Sequence, residues 1–146
     1  MSVVLITGAA KRLGRAIALK LAGAGYDIAV HYRASKADAE SLAAAVKALG
    51  RRAALIEGDL ADETQVVTFV SRASAALGPL TALFNCASVF EDDRIATMTR
   101  ASWDKHIETN LRAPLVLSQT FAKQLPTGMD GAIVNIIDQV VLNLTP

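Results

Sequence analysis

Short apolar runs recur along the chain at positions 3–6, 28–30, 53–56, 82–84 and 132–137. Each is too short for a helix, and most are rich in Val, Ile or Leu. Strands of a parallel sheet with both faces covered read in this way. Longer stretches with helical spacing separate them. Leu13, Ile17, Leu21 and Ala24 share one stripe, Leu42, Val46 and Leu49 a second, and Val66, Val70, Ala73 and Leu77 a third. Gly25, Gly50 and Gly78 follow these stripes, where a helix commonly ends on a residue of positive φ. The alternation predicts right-handed βαβ crossovers and an α/β fold, a three-layer α/β/α sandwich around a parallel sheet. No repeat, linker or low-complexity stretch interrupts it, so one domain is expected over 1–146, close to the usual ~150 residues.

Composition removes several function classes. The net charge is +1 and charged residues make up 20% of the chain, which gives no nucleic-acid surface and no acidic tail. Hydrophobic residues reach 52%, but no run approaches the ~18 apolar residues of a membrane span. The apolar start is followed, not preceded, by the basic pair Lys11-Arg12, the reverse of a secretory leader. Cys86 is the sole cysteine, so no intrachain disulfide can form and a reducing cytoplasm is the expected compartment. His31 and His106 are the only histidines, and no Cys/His spacing fits a ligand set, so no metal is expected. Cys86 ends a buried strand with no histidine near it in sequence and reads as packing rather than as a nucleophile.

The first apolar run leads into Thr7-Gly8-Ala9-Ala10-Lys11-Arg12-Leu13-Gly14, and the first helical stripe follows. A turn here exposes N–H groups at a helix N-terminus, which suits a pyrophosphate. Gly8 permits the tight turn and Gly14 a close approach of helix and sheet. The spacing is Thr-Gly-x-x-x-Gly-x-Gly with Arg12 in the middle glycine position. In this the chain resembles the short-chain dehydrogenase/reductase family, and more narrowly its pteridine reductase branch. The resemblance implies a Rossmann-type, doubly wound parallel sheet, of which the first five strands are present. It also implies a nicotinamide cofactor, a small-molecule substrate and, usually, a homotetramer.

The second run ends in His31-Tyr32-Arg33-Ala34-Ser35, at the place that borders an adenosine ribose. An NAD-specific domain commonly has an acid here, yet no Asp or Glu lies between Asp27 and Asp38. Arg33, Arg12 and the Ser35 hydroxyl instead suit a 2′-phosphate, so NADP(H) is the expected cofactor. Asp59-Leu60 follows the third strand. The family uses an acid here to contact adenine; alternatively Asp59 caps the next helix, a role that Asp62 fills as well.

Asn85-Cys86-Ala87-Ser88 ends the fourth strand, where the family usually has Asn-Asn-Ala-Gly. Ser88 matches the pteridine reductase pattern, in which it reaches cofactor and substrate. Phe90 either stacks on a pterin, as the aromatic residue of that branch does, or tucks onto the core. Asn110 lies in a helical stretch, 103–125, four residues before Pro114, which has no N–H to give the Asn110 carbonyl. A kink is expected there; in the family the matching carbonyl holds a water of the proton relay. Asp138 stands after the fifth strand where most of the family has a catalytic serine and pteridine reductases have Asp. In a partly dry site its carboxyl can orient substrate or donate a proton.

The family's catalytic Tyr-x-x-x-Lys belongs to the helix after the fifth strand, and the chain ends at Pro146 before it, so the domain is expected to be C-terminally incomplete. Tyr32-Arg33-Ala34-Ser35-Lys36 matches those letters but lies on the adenosine side. Three functions remain. The first is an NADPH-dependent reductase of a pterin-like or carbonyl substrate. The second is a 3-oxoacyl or general ketone reductase, and the third a non-catalytic NADP-binding sensor.

Overall fold

The computed structural model describes residues 2–138; Met1 and residues 139–146, the two ends of the single domain expected over 1–146, lie outside them. The elements alternate as the apolar pattern requires. They are β1 (Val3–Ile6), α1 (Arg12–Gly23), β2 (Asp27–Tyr32), α2 (Lys36–Ala48), β3 (Ala53–Glu57), α3 (Glu63–Leu77) and β4 (Ala82–Asn85). Then come α4 (Arg100–Ile107), a π-helical segment (Glu108–Arg112), α5 (Ala113–Gln124) and β5 (Ala132–Asn135).

The five strands form one parallel sheet in the order β3-β2-β1-β4-β5. The order runs outward from β1 through β2 to β3, then restarts on the other side with β4. A crevice therefore opens where the C-terminal ends of β1 and β4 diverge, the usual ligand position in such sheets. Each face of the sheet carries its own core. Val3 and Leu5 pack with Phe69, Val70, Leu117 and Phe121 of α3 and α5. Val4 and Ile6 point the other way, against Ala18, Ala22, Leu42 and Val46 of α1 and α2. Fully burying each such Val, Ile or Leu stabilises by about 1.5–3 kcal/mol.

Four details depart from the sequence pattern. In α1 the fully buried residues are Gly14, Ala18 and Ala22, whereas Leu13 is exposed. Small residues let the helix lie close to the sheet, and the large ones flank that contact. Leu49, assigned to the stripe of α2, is likewise exposed, one residue past the helix end. Among the described residues β5 lies at the edge of the sheet, and its Ile133 is not covered on both faces. The helical stretch expected over 103–125 is divided by the π segment, in which the Ala113 N–H bonds the Glu108 carbonyl. Pro114, one residue on, brings no N–H to the Asn110 carbonyl, and the backbone just before it adopts the wider π turn.

Asp27 opens β2 rather than preceding it, and it is buried. Its carboxylate accepts the Arg52 amide and the Arg52 Nε, each at 2.8 Å, and Arg51 Nε lies at 3.8 Å. Burial pushes its pKa upward. The Arg52 hydrogen bonds and the two guanidinium charges outweigh that push and hold the carboxyl below its ordinary range. These charges lock the end of the sheet opposite the crevice.

Candidate functional site

The crevice is a groove of about 1020 Å³. Its walls come from the β1–α1 turn, the segment after β4, the π segment with α5, and the end of β5. Gly8 adopts φ +64°, and a Cβ there would lie 3.0 Å from the Ala87 Cα, so only glycine lets the two loops approach. A Cβ on Gly14 would collide with the Gly8 carbonyl oxygen. Gly14 thus serves the packing of α1 against its own turn more than against the sheet. Arg12, in the family's glycine position, is the one non-glycine residue of positive φ, +49°, among those described. No side chain caps the start of α1 and its first turn holds no acid, so the helix dipole faces the groove unneutralised.

Two buried side chains fix this turn. The Thr7 hydroxyl accepts the amides of Cys86 at 2.9 Å and Ala87 at 3.0 Å, tying the ends of β1 and β4 together. His31 Nδ1 accepts the Gly8 amide at 3.1 Å, and Nε2 lies 3.1 Å from the Gly58 carbonyl, to which it donates. Burial, opposed by the Gly58 hydrogen bond and the Asp59 charge, brings the His31 pKa down to about 4.

The sequence set Gly8, Arg12, Leu13, Gly14, His31, Tyr32, Arg33, Ser35, Asp59, Leu60, Asn85, Ala87 and Ser88 on the cofactor, and the structure divides them. Gly8, Arg12, Leu13 and Gly14 line the large groove. Arg33, Asp59 and Leu60 line an adjoining pocket of about 200 Å³, with Arg33 Nη1 3.8 Å from Asp59 Oδ2. His31 forms part of that pocket's floor, but backbone groups occupy both of its ring nitrogens. Tyr32 and Ser35 line neither cavity. The Tyr32 ring is buried and its hydroxyl donates to Glu57 at 3.2 Å, while Ser35 starts α2. Asp59 does not cap α3. It accepts the Ala61 amide, and Asp62 is the cap, accepting from Thr64 N at 2.9 Å.

At the other end, buried Asn85 donates through Nδ2 to Asn135 Oδ1 at 2.8 Å. Its own Oδ1 is buried with no hydrogen-bond partner among the described residues. Ala87, Ser88, Phe90, Asn110 and Asp138 border the same groove. Phe90 is 91% exposed, so it does not tuck onto the core. The Asn110 side chain accepts the Val89 amide and donates to the Val89 carbonyl, both at 2.8 Å. Cys86 lies at the groove edge with its thiol pKa pushed up by burial, which does not suit a nucleophile. The sequence missed the clamps of Thr7 and His31. It also missed Leu111, Leu115 and Ser118, an i, i+4, i+7 row legible in hindsight that supplies one wall.

Comparison with known proteins agrees with this fold. The model of the family "short chain dehydrogenase" matches residues 2–142. The chain belongs to the short-chain dehydrogenase family. Among curated relatives of this short-chain dehydrogenase is the 3-oxoacyl-[acyl-carrier-protein] reductase FabG of Staphylococcus aureus. It is 35% identical over 132 residues, 90% of this chain and 54% of the relative. The chain thus spans about half the length of the curated relatives it matches. Among solved structures, FolM alternative dihydrofolate reductase 1 from Brucella suis, in complex with NADP, superposes with a TM-score of 0.94. It is 37% identical, over 99% of this chain and 60% of that one. A blue fluorescent protein from a metagenomic library, in complex with NADPH, gives a TM-score of 0.93 at 34% identity, over 99% and 59%. Among the described residues no helix is long and apolar enough to cross a membrane, and no cluster of three or more His, Cys, Asp or Glu could hold a metal.

Proposed function

We propose that the protein carrying this chain is an NADPH-dependent reductase acting on a small pterin-like or carbonyl substrate. One observation carries the reading. A single groove joins an uncapped helix N-terminus and Arg12 to the Asn85-Cys86-Ala87-Ser88 turn and to an exposed aromatic, Phe90. The residues fit a dinucleotide. The space that a Cβ would fill at Gly8 and the open amides at the start of α1 suit a pyrophosphate. Arg12 and Arg33 would hold the 2′-phosphate, and Asp59 and Leu60 the adenine. Asn85, Ala87 and Ser88 would border the nicotinamide half. The reduced nicotinamide supplies hydride when bound.

The chain's own residues supply position and protons. Ser88 and Phe90 flank the place of a flat substrate, the hydroxyl as donor and the ring as a stacking face. Asp138 orients substrate or gives a proton to the oxygen or nitrogen that takes up the electron pair when hydride reaches the neighbouring carbon, and the Asn110 carbonyl holds a water of the relay. The lone Cys86 supports a reducing, cytoplasmic compartment, and membership of the family supports a homotetramer.

Similarity to a FolM alternative dihydrofolate reductase supports a pterin-like substrate. The FabG relatives support the second reading, a 3-oxoacyl reductase. Purified protein carrying this chain, assayed for NADPH oxidation, separates the two. Turnover of dihydrofolate or quinonoid dihydrobiopterin that Phe90→Ala weakens supports the first. Turnover of an acetoacetyl thioester alone supports the second, and no turnover of either overturns both.

A further inference from the structure

Phe90, 91% exposed, sits between two residues that are each held by hydrogen bonds. On one side of it, Val89 has both backbone groups bonded to Asn110. On the other side, the Glu91 amide donates to His106 Nε2 at 3.0 Å, and the Glu91 carboxylate pairs with Lys105. His106 and Asn110 are four apart, so one face of α4 and the π segment grips both neighbours of the aromatic residue. His106 is itself fixed. Its Nδ1 lies 2.9 Å from the Ser102 carbonyl, which makes Nδ1–H the donor and leaves Nε2 as the acceptor that the Glu91 amide requires. Meanwhile the Phe90 side chain faces the groove. A large apolar ring held over open space by backbone anchors on both sides is preorganised for a ligand: the ordering is done before anything binds.

We propose that His106 is a positioning residue. It does not touch the substrate; it fixes the loop that presents Phe90 to the groove and so sets affinity for a flat substrate. The proposal rests on the reductase reading above for its kinetic consequence, and on the hydrogen bond alone for its structural one.

Two measurements on the protein carrying this chain test it. Amide hydrogen exchange in His106→Leu should lose protection at Glu91 while Val89, held by Asn110, keeps it. Unchanged protection at Glu91 overturns the proposal whatever the enzyme does. Kinetics then use whichever substrate the wild type reduces, a dihydropterin or a 3-oxoacyl thioester. His106→Leu should raise KM about fivefold, the equivalent of one net hydrogen bond, and leave the Kd for NADPH unchanged. His106→Gln, whose side-chain oxygen can accept the Glu91 amide, should restore KM. In a Phe90→Ala background His106→Leu should change KM no further. An equal rise in KM with and without the Phe90 ring, or a matching fall in NADPH affinity, shows a general structural role and overturns the proposal. If the wild type reduces neither substrate the reductase reading falls, and exchange at Glu91 alone decides whether His106 holds the loop.

Discussion

The Gly8 amide donates to Nδ1 of His31 at 3.1 Å, so the phosphate-type turn at the end of β1 hangs on a ring that must stay neutral. Burial keeps it so, with a pKa of about 4 in the folded protein against 6.5 for a free histidine. Between these values the unfolded chain binds the proton and the folded one does not, so stability falls as pH falls. The slope is about 1.4 kcal/mol per pH unit, a loss of about 3 kcal/mol by the time pH reaches the folded value. Urea unfolding at about pH 7 and about pH 4.5 should show this loss in the wild type and much less in His31→Gln. Equal slopes for the two proteins would show that other groups carry the acid sensitivity.

Thr7 joins β1 to β4 through one hydroxyl that serves two amides. Thr7→Val keeps the shape and leaves the Cys86 and Ala87 amides without that acceptor, at a cost of about 2–3 kcal/mol. Thr7→Ser should recover most of it. The check is the denaturation midpoint; a Val variant as stable as wild type would contradict the clamp.

Arg12 stands at φ +49°, a conformation in which a side chain is unfavourable by about 1–2 kcal/mol. Arg12→Gly should therefore stabilise the fold by about 1 kcal/mol and at the same time weaken NADPH relative to NADH. Opposite movements of melting temperature and of cofactor preference would show that function retains a strained residue at this point. Loss of stability in the variant would refute it.

Arg33 already lies 3.8 Å from the Asp59 carboxylate. Arg33→Asp with Arg12→Leu removes both cations expected at the 2′-phosphate and places two carboxylates beside each other. The NADPH-to-NADH affinity ratio, read by titration of cofactor fluorescence, should fall about 100-fold, as for loss of one or two charge-assisted hydrogen bonds. Equal affinity of the unaltered protein for both cofactors would sink the idea.

Much of this protein follows from sequence alone. The short continuous apolar runs and the helical stripes set the order of elements, because a strand covered on both faces is apolar throughout and a helix on a sheet is apolar along one side. Asp62 as cap, Gly8 as the turn residue and the break near Pro114 were legible for local reasons of the same kind. Tertiary structure decided whatever depends on distant neighbours. A strand's place in a sheet depends on its partners, so the order β3-β2-β1-β4-β5 could not be read from any one run. His31 and Tyr32 end a strand beside the expected ribose, yet packing against β3 and the loop after it turns both rings inward, to Gly58 and Glu57. The bonds from Thr7 to Cys86 and from Glu91 to His106 span long stretches of chain. A hydrogen bond is set by where its two partners meet in space, and the pattern along a sequence records only the local half of that.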